Sequence, residues 1–185
     1  ETVKPFTHKI FTMSIFATLP TGEFLTPYFE RLLDSIPKKF VFSSPLSGLT
    51  HAATVVYAPM FLRIFVQARL DGKYDNVNPR AQIDRLMGDK LFSRLHNSHV
   101  NGLESLPFLA AAILGGLHAG IARYRLARIT TMWVAVRVLY VAAYVFQTKK
   151  TSFVRSLLFL YSLAISMNLL REAGRKMISD NKKHE

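Results

Sequence analysis

No cysteine occurs in this chain of 185 residues, which excludes disulfides, thiolate metal sites and a protein-borne thiol nucleophile. Any sulfur chemistry must therefore arrive with a small molecule. Acidic residues are few as well: 12 Asp and Glu stand against 24 Lys and Arg, for a formal charge of +12. That excess invites a nucleic-acid reading. The basic residues, however, lie between or just outside apolar runs and form no polar face that could follow a phosphate backbone. No nucleic-acid partner is expected, and charges so placed flank membrane spans and meet anionic headgroups. Proline becomes scarce after Pro5, Pro20, Pro27, Pro37 and Pro45 have broken up residues 1–47. The chain opens on Glu1 instead of Met. It reads as a processed or trimmed product, a removed targeting peptide being one explanation.

What is abundant is apolar sequence: half of the residues are hydrophobic, and four long stretches hold most of them. Spans are expected at about 49–70, 103–122, 126–147 and 152–170, each close to the ~20 residues that a bilayer requires. The fold class is therefore all-α: an integral membrane four-helix bundle in contact with the lipid bilayer, preceded by an N-terminal amphipathic extension. The extension covers 1–47, the membrane domain 48–177 and a polar tail 178–185. Within the extension, Thr26-Pro27 reads as a cap and first-turn proline. Phe24, Tyr28, Phe29, Leu32, Leu33 and Ile36 recur at helical spacing. That short helix suits the membrane interface or packing on the bundle or a partner chain. Residues 71–95 are too polar for hydrocarbon, and Asn78-Pro79 predicts the start of a short surface helix. The connections RYR and Thr148-Lys149-Lys150 are so short that spans two and three, and three and four, form antiparallel hairpins.

Span two carries Ala111, Ala112, Gly115, Gly116, Ala119 and Gly120; spacings of four place Ala112, Gly116 and Gly120 on one face for close helix contact. Span one is expected to kink at Pro59. Charges inside the spans carry the functional signal, because a charge at mid-bilayer costs on the order of 3 kcal/mol and rarely faces lipid. Arg69, Glu104, Arg137 and Arg155 are of this kind, at corresponding ends of the helices near the long loop. Two readings stand open: Glu104 ties helices together by pairing with an arginine, or the arginine excess leaves a buried positive site for an anionic ligand. Arg137, Tyr140 and Tyr144 share one face of span three and read as a polar stripe. His96 and His99 lack a third ligand at a convincing spacing, so a surface or hydrogen-bonding role is favoured over a metal site.

The run NPRAQIDRLMGDKLFSRLHNSHVNGLESLPFLAAAIL, with Asn78-Pro79, His99, Asn101, Glu104 and Pro107-Phe108, resembles the signature of the membrane-associated proteins in eicosanoid and glutathione metabolism, the MAPEG family. Residues 67–70 (QARL) are similar to the end of that family's first span and RVLYVAAYVF at 137–146 to its third. Arg155-Ser156 stands where a functional arginine-serine pair opens the fourth. The stretch from Ser166-Met167 through REAGRKM resembles the microsomal prostaglandin E synthase branch, and the NP-containing segment also resembles bacterial-type members.

The resemblance, which runs over about residues 48–177, implies a homotrimer of four-helix membrane bundles binding glutathione between subunits. By that likeness Arg69, Asn101, Glu104, Arg137, Tyr140 and Tyr144 are binding positions; Arg155, helped by Ser156, stabilises the thiolate. The implied activity is glutathione transfer to, or glutathione-dependent reduction of, lipophilic substrates. Three positions depart from the family pattern: Val100 stands in place of an arginine, Tyr140 of a histidine and Phe159 of a tyrosine. The added N-terminal segment and these losses suit an alternative, a non-catalytic subunit of a larger membrane complex. Both the mitochondrial inner membrane and the endoplasmic reticulum fit the expectation.

Overall fold

The computed structural model describes residues 26–148 and 151–183, with side chains from residue 28; the expectations on Pro5, Pro20, Phe24, the side chains of Thr26-Pro27, and Lys149-Lys150 lie outside them. The chain divides into two compact units, residues 1–35 and 36–185. Helix α1 (Thr26–Ser35) is the described part of the first; Tyr28 and Leu32, one turn apart on it, are both exposed.

In the second unit a 3-10 turn (Lys38–Phe40) leads to α2 (Pro45–Asp71), α3 (Pro79–Leu86), α4 (Lys90–His118), α5 (Arg123–Val145) and α6 (Ser152–Asn181). All four of the long helices are long and apolar enough to cross a membrane. Helices α2 and α4 start on local caps. The Ser44 hydroxyl accepts from Ser47 N–H at 3.0 Å with Pro45 in the first turn of α2, and the Asp89 carboxylate accepts from Phe92 N–H at 2.7 Å to open α4. Helix α4 ends in paired closing bonds, Ile121 N–H to Gly116 O at 2.9 Å and Gly120 N–H to Leu117 O at 3.1 Å, with Gly120 at φ +67. That left-handed position is one that only glycine takes without strain.

Helix α2 buries a single stripe, Gly48, Ala52, Val56, Pro59, Arg63 and Gln67, at steps of three and four. It runs through Pro59 unbroken, and Phe61, Leu62 and Phe65 stay exposed on its far side. The stripe packs on α4 and α5, and α6 packs on the same two helices, so α4 and α5 form the centre. The core is built of Phe92, Leu109, Ile113, Leu126, Ile129, Trp133, Ile165 and Leu169. Small residues set the helix distances: an added Cβ at Gly102 would stand 2.9 Å from Val56 Cγ1, and one at Gly48 2.6 Å from Thr130 Cγ2.

Several expectations are corrected here. The helix that holds span two begins well before residue 103, because Asp89 caps a helix that takes in residues 90–95 of the polar 71–95 segment, while the short helix expected after Asn78-Pro79 forms over Pro79–Leu86. The RYR segment is no loop: Arg123, Tyr124 and Arg125 form the first turn of α5. Gly120 is not on the contact face with Ala112 and Gly116, since it terminates the helix, and Ala111 is exposed. Helix α6 continues far beyond residue 170.

Candidate functional site

Polar side chains from three helices meet at the end of the bundle where α4 begins, α5 ends and α6 begins. Arg94 fixes this level by donating from Nη1 to the carbonyl of Val145 at 2.8 Å, which satisfies a terminal carbonyl of α5. Below it Asn97, Val100, Asn101 and Glu104 recur on one face of α4. With Tyr140 and Tyr144 of α5 and Arg155, Ser156, Phe159 and Leu160 of α6, they line a cavity of about 460 Å³.

Arg137 lies behind the Tyr140 wall and is 1% exposed. Both of its terminal nitrogens donate to Asn101 Oδ1, at 3.1 and 3.2 Å, and its guanidinium lies 4.1 Å from the Tyr140 ring centroid. Its Nε has no hydrogen-bond partner. Arg155 donates from Nη1 to Gln147 Oε1 at 3.0 Å and lies 4.7 Å from the centroid of Tyr144, which meets Tyr140 edge-on at 5.6 Å. Neither arginine is in an ion pair among the described residues, and neither is Glu104, which is exposed at the cavity. The helix-tying reading of Glu104 therefore has no ion pair behind it. A cation buried without a counter-charge is costly, whereas an anion in this cavity would offset that cost. The donor set suits a ligand with more than one carboxylate and a single cationic group, and the volume lies within the ~300–1,000 Å³ typical of small-molecule sites.

Of the sequence-derived positions, Asn101, Glu104, Tyr140, Tyr144, Arg155 and Ser156 come together at the cavity and Arg137 stands directly behind it. Arg69 does not join them. It lies two residues beyond Gln67 of the buried stripe of α2, about 200° around the helix, and is exposed. Sequence reasoning missed Asn97, one turn before Asn101 on the same face, where the i, i+4 spacing was available as a signal. It also missed Gln147, for which no spacing signal exists. The two histidines are held apart by separate bonds: His96 Nδ1 accepts from Arg63 Nη1 at 2.6 Å, and His99 Nδ1 meets the Val56 carbonyl at 2.9 Å. Among the described residues no group of three His, Cys, Asp or Glu side chains could hold a metal ion.

Searches of curated proteins and of solved structures find no match to this chain. The sequence model of the MAPEG family matches residues 47–174, more than two thirds of the chain and all of the elements that build the cavity. With four helices suited to span a bilayer, the protein is an integral membrane protein and belongs to the MAPEG family.

Proposed function

We propose that the cavity binds glutathione and that the protein uses it in transferase or peroxidase chemistry on lipophilic substrates. The carrying observation is Arg137, fully buried with no carboxylate partner among the described residues. Glutathione has two carboxylates and an ammonium group; Arg137, acting by its charge from behind the Tyr140 ring, suits the former and Glu104 the latter. When bound it supplies a thiolate, the nucleophile that a chain without cysteine lacks. A free thiol has a pKa of ~8.5, so nearby positive charge is required to populate the thiolate at neutral pH. Arg155, braced by Gln147 and Tyr144, provides that charge, and the Ser156 hydroxyl a second donor. The apolar walls Val100, Phe159 and Leu160 admit a co-substrate from the bilayer side. In the homotrimer expected of this family, the exposed Arg69 serves the cavity of a neighbouring copy.

The test uses the full-length chain in detergent. Calorimetry detects glutathione binding at millimolar ligand or below. Arg155→Ala retains much of that binding but lowers conjugation of an aryl halide about 10²–10³-fold, the scale set by loss of one oxyanion-type donor. Absence of binding at millimolar glutathione sinks the proposal. The apolar Val100 and Phe159 would then favour a non-catalytic role, shown by co-purification with other subunits in fixed ratio.

A further inference from the structure

Both arginines of the site are held by neutral acceptors. Asn101 Oδ1 accepts from the terminal nitrogens of Arg137, and Gln147 Oε1 accepts from Arg155 Nη1 at 3.0 Å. Arg94, at the same level, donates to a backbone carbonyl, that of Val145. A carboxylate in place of either amide would bind a guanidinium more tightly, but it would also cancel the charge. An amide oxygen fixes the direction of the guanidinium and leaves its charge for another partner.

Gln147 is itself fixed. It stands just beyond the end of α5, where Phe146 N–H closes on the Ala142 carbonyl at 3.0 Å and Arg94 ties down Val145. On its other side two threonines lock the connection to α6. Thr148 N–H donates to Thr151 Oγ1 at 2.9 Å, Thr151 N–H donates to the Thr148 carbonyl at 3.2 Å, and the two hydroxyls lie 3.0 Å apart. Thr151 is the cap position of α6. These bonds set Gln147 directly before the first turn of α6, which carries Arg155. Gln147 is half-buried and does not line the cavity, whereas Arg155 does. The Tyr144 ring, its centroid 4.7 Å from the Arg155 guanidinium, adds a second neutral support.

We propose that Gln147 is a positioning residue for Arg155: its neutral carbonyl aims the guanidinium at the cavity without cancelling its charge, so thiolate formation depends on residue 147 while glutathione affinity does not. This rests on glutathione being the ligand of the cavity. Gln147 acts through Arg155 alone, which separates it from Asn101, whose side chain lines the cavity.

The test takes the full-length chain in detergent with glutathione and an aryl halide. The thiol proton passes to solvent, sulfur bonds to the ring carbon, and halide departs with the electron pair of the bond it leaves. Gln147→Met keeps the size of the side chain and loses the acceptor. It is expected to lower kcat roughly 10–10²-fold, the order that misplacing a reacting group costs, with KM for glutathione unchanged. Gln147→Asn, one methylene short of Arg155, shows the same split. In the Arg155→Ala background neither change lowers the rate further. Gln147→Glu holds the guanidinium in place but neutralises it. The pH profile of kcat then moves up by about one unit, a roughly tenfold smaller thiolate fraction at neutral pH, and the ultraviolet thiolate absorbance of bound glutathione follows it. A native chain that binds no glutathione at millimolar concentration overturns the ligand assignment and this inference together. Where the native chain binds and conjugates, any of four results overturns the inference alone. These are full rates in Q147M and Q147N, a KM raised in step with the loss, a loss that persists in the R155A background, or a Q147E profile that does not move.

Discussion

Asn101 supplies both hydrogen bonds that the Arg137 terminal nitrogens make. Asn101→Leu leaves a buried guanidinium with no acceptor, and a hydrogen bond to a charged group is worth about 1.5–3 kcal/mol. The variant is expected to unfold at lower temperature in detergent by a corresponding amount, and glutathione at saturating concentration restores part of the loss. Asn101→Asp has the opposite pattern: the new carboxylate pairs with Arg137, so stability is kept while glutathione affinity falls.

Asp75 offers a pH test outside the membrane. Its carboxylate accepts from the N–H groups of Val77 and Asn78, both at 2.9 Å, and these bonds hold its pKa below the usual carboxylate value. A lowered folded pKa means that the contribution to order is complete above the unfolded value, ~3.9, and is lost as pH falls through the folded one. Hydrogen exchange at Val77 and Asn78 should therefore show protection that is flat from neutral pH to the unfolded pKa and disappears below it. Asp75→Asn should remove the pH dependence. Asn78-Pro79 marked the restart of a helix in the sequence, but the Asp75 turn before it was not read there. The Arg137–Asn101 bond was not readable either, because 36 residues and a helix reversal separate the two.

At the scale of elements, the contact between α2 and α4 depends on Gly102, where an added Cβ would meet Val56 at 2.9 Å. Both positions lie on buried stripes, so neither helix can rotate away. Gly102→Ala should destabilise the bundle by about 1–3 kcal/mol through overpacking, and Val56→Ala in the same chain should recover much of it. Thermal unfolding of the two single variants and the double variant measures the coupling; strictly additive losses would show that the contact is not made.

Helix lengths were less legible than helix existence. Hydropathy marks the apolar middle of α4 and α6, but the polar turns at 90–102 and 171–181 become helical through the Asp89 cap, the Arg94 bond to Val145 and the Arg125–Glu172 pair. Helices α2 and α4 stop where local chemistry dictates, at the left-handed glycines Gly72 and Gly120.

For the whole molecule, the sequence by itself determined four apolar helices, their antiparallel order and the presence of ionisable residues within them. Hydropathy, loop length and the cost of charge in hydrocarbon are properties of short segments. The tertiary structure decided which of those charges meet. Rotation of each helix about its own axis puts Arg63 and Gln67 of α2 inward and Arg69 outward. It sets Asn101 against Arg137 and leaves Arg137 and Arg155 without carboxylate partners among the described residues. That rotation is fixed by close packing of stripes such as Gly48 on Thr130 and Gly102 on Val56, which no single segment contains.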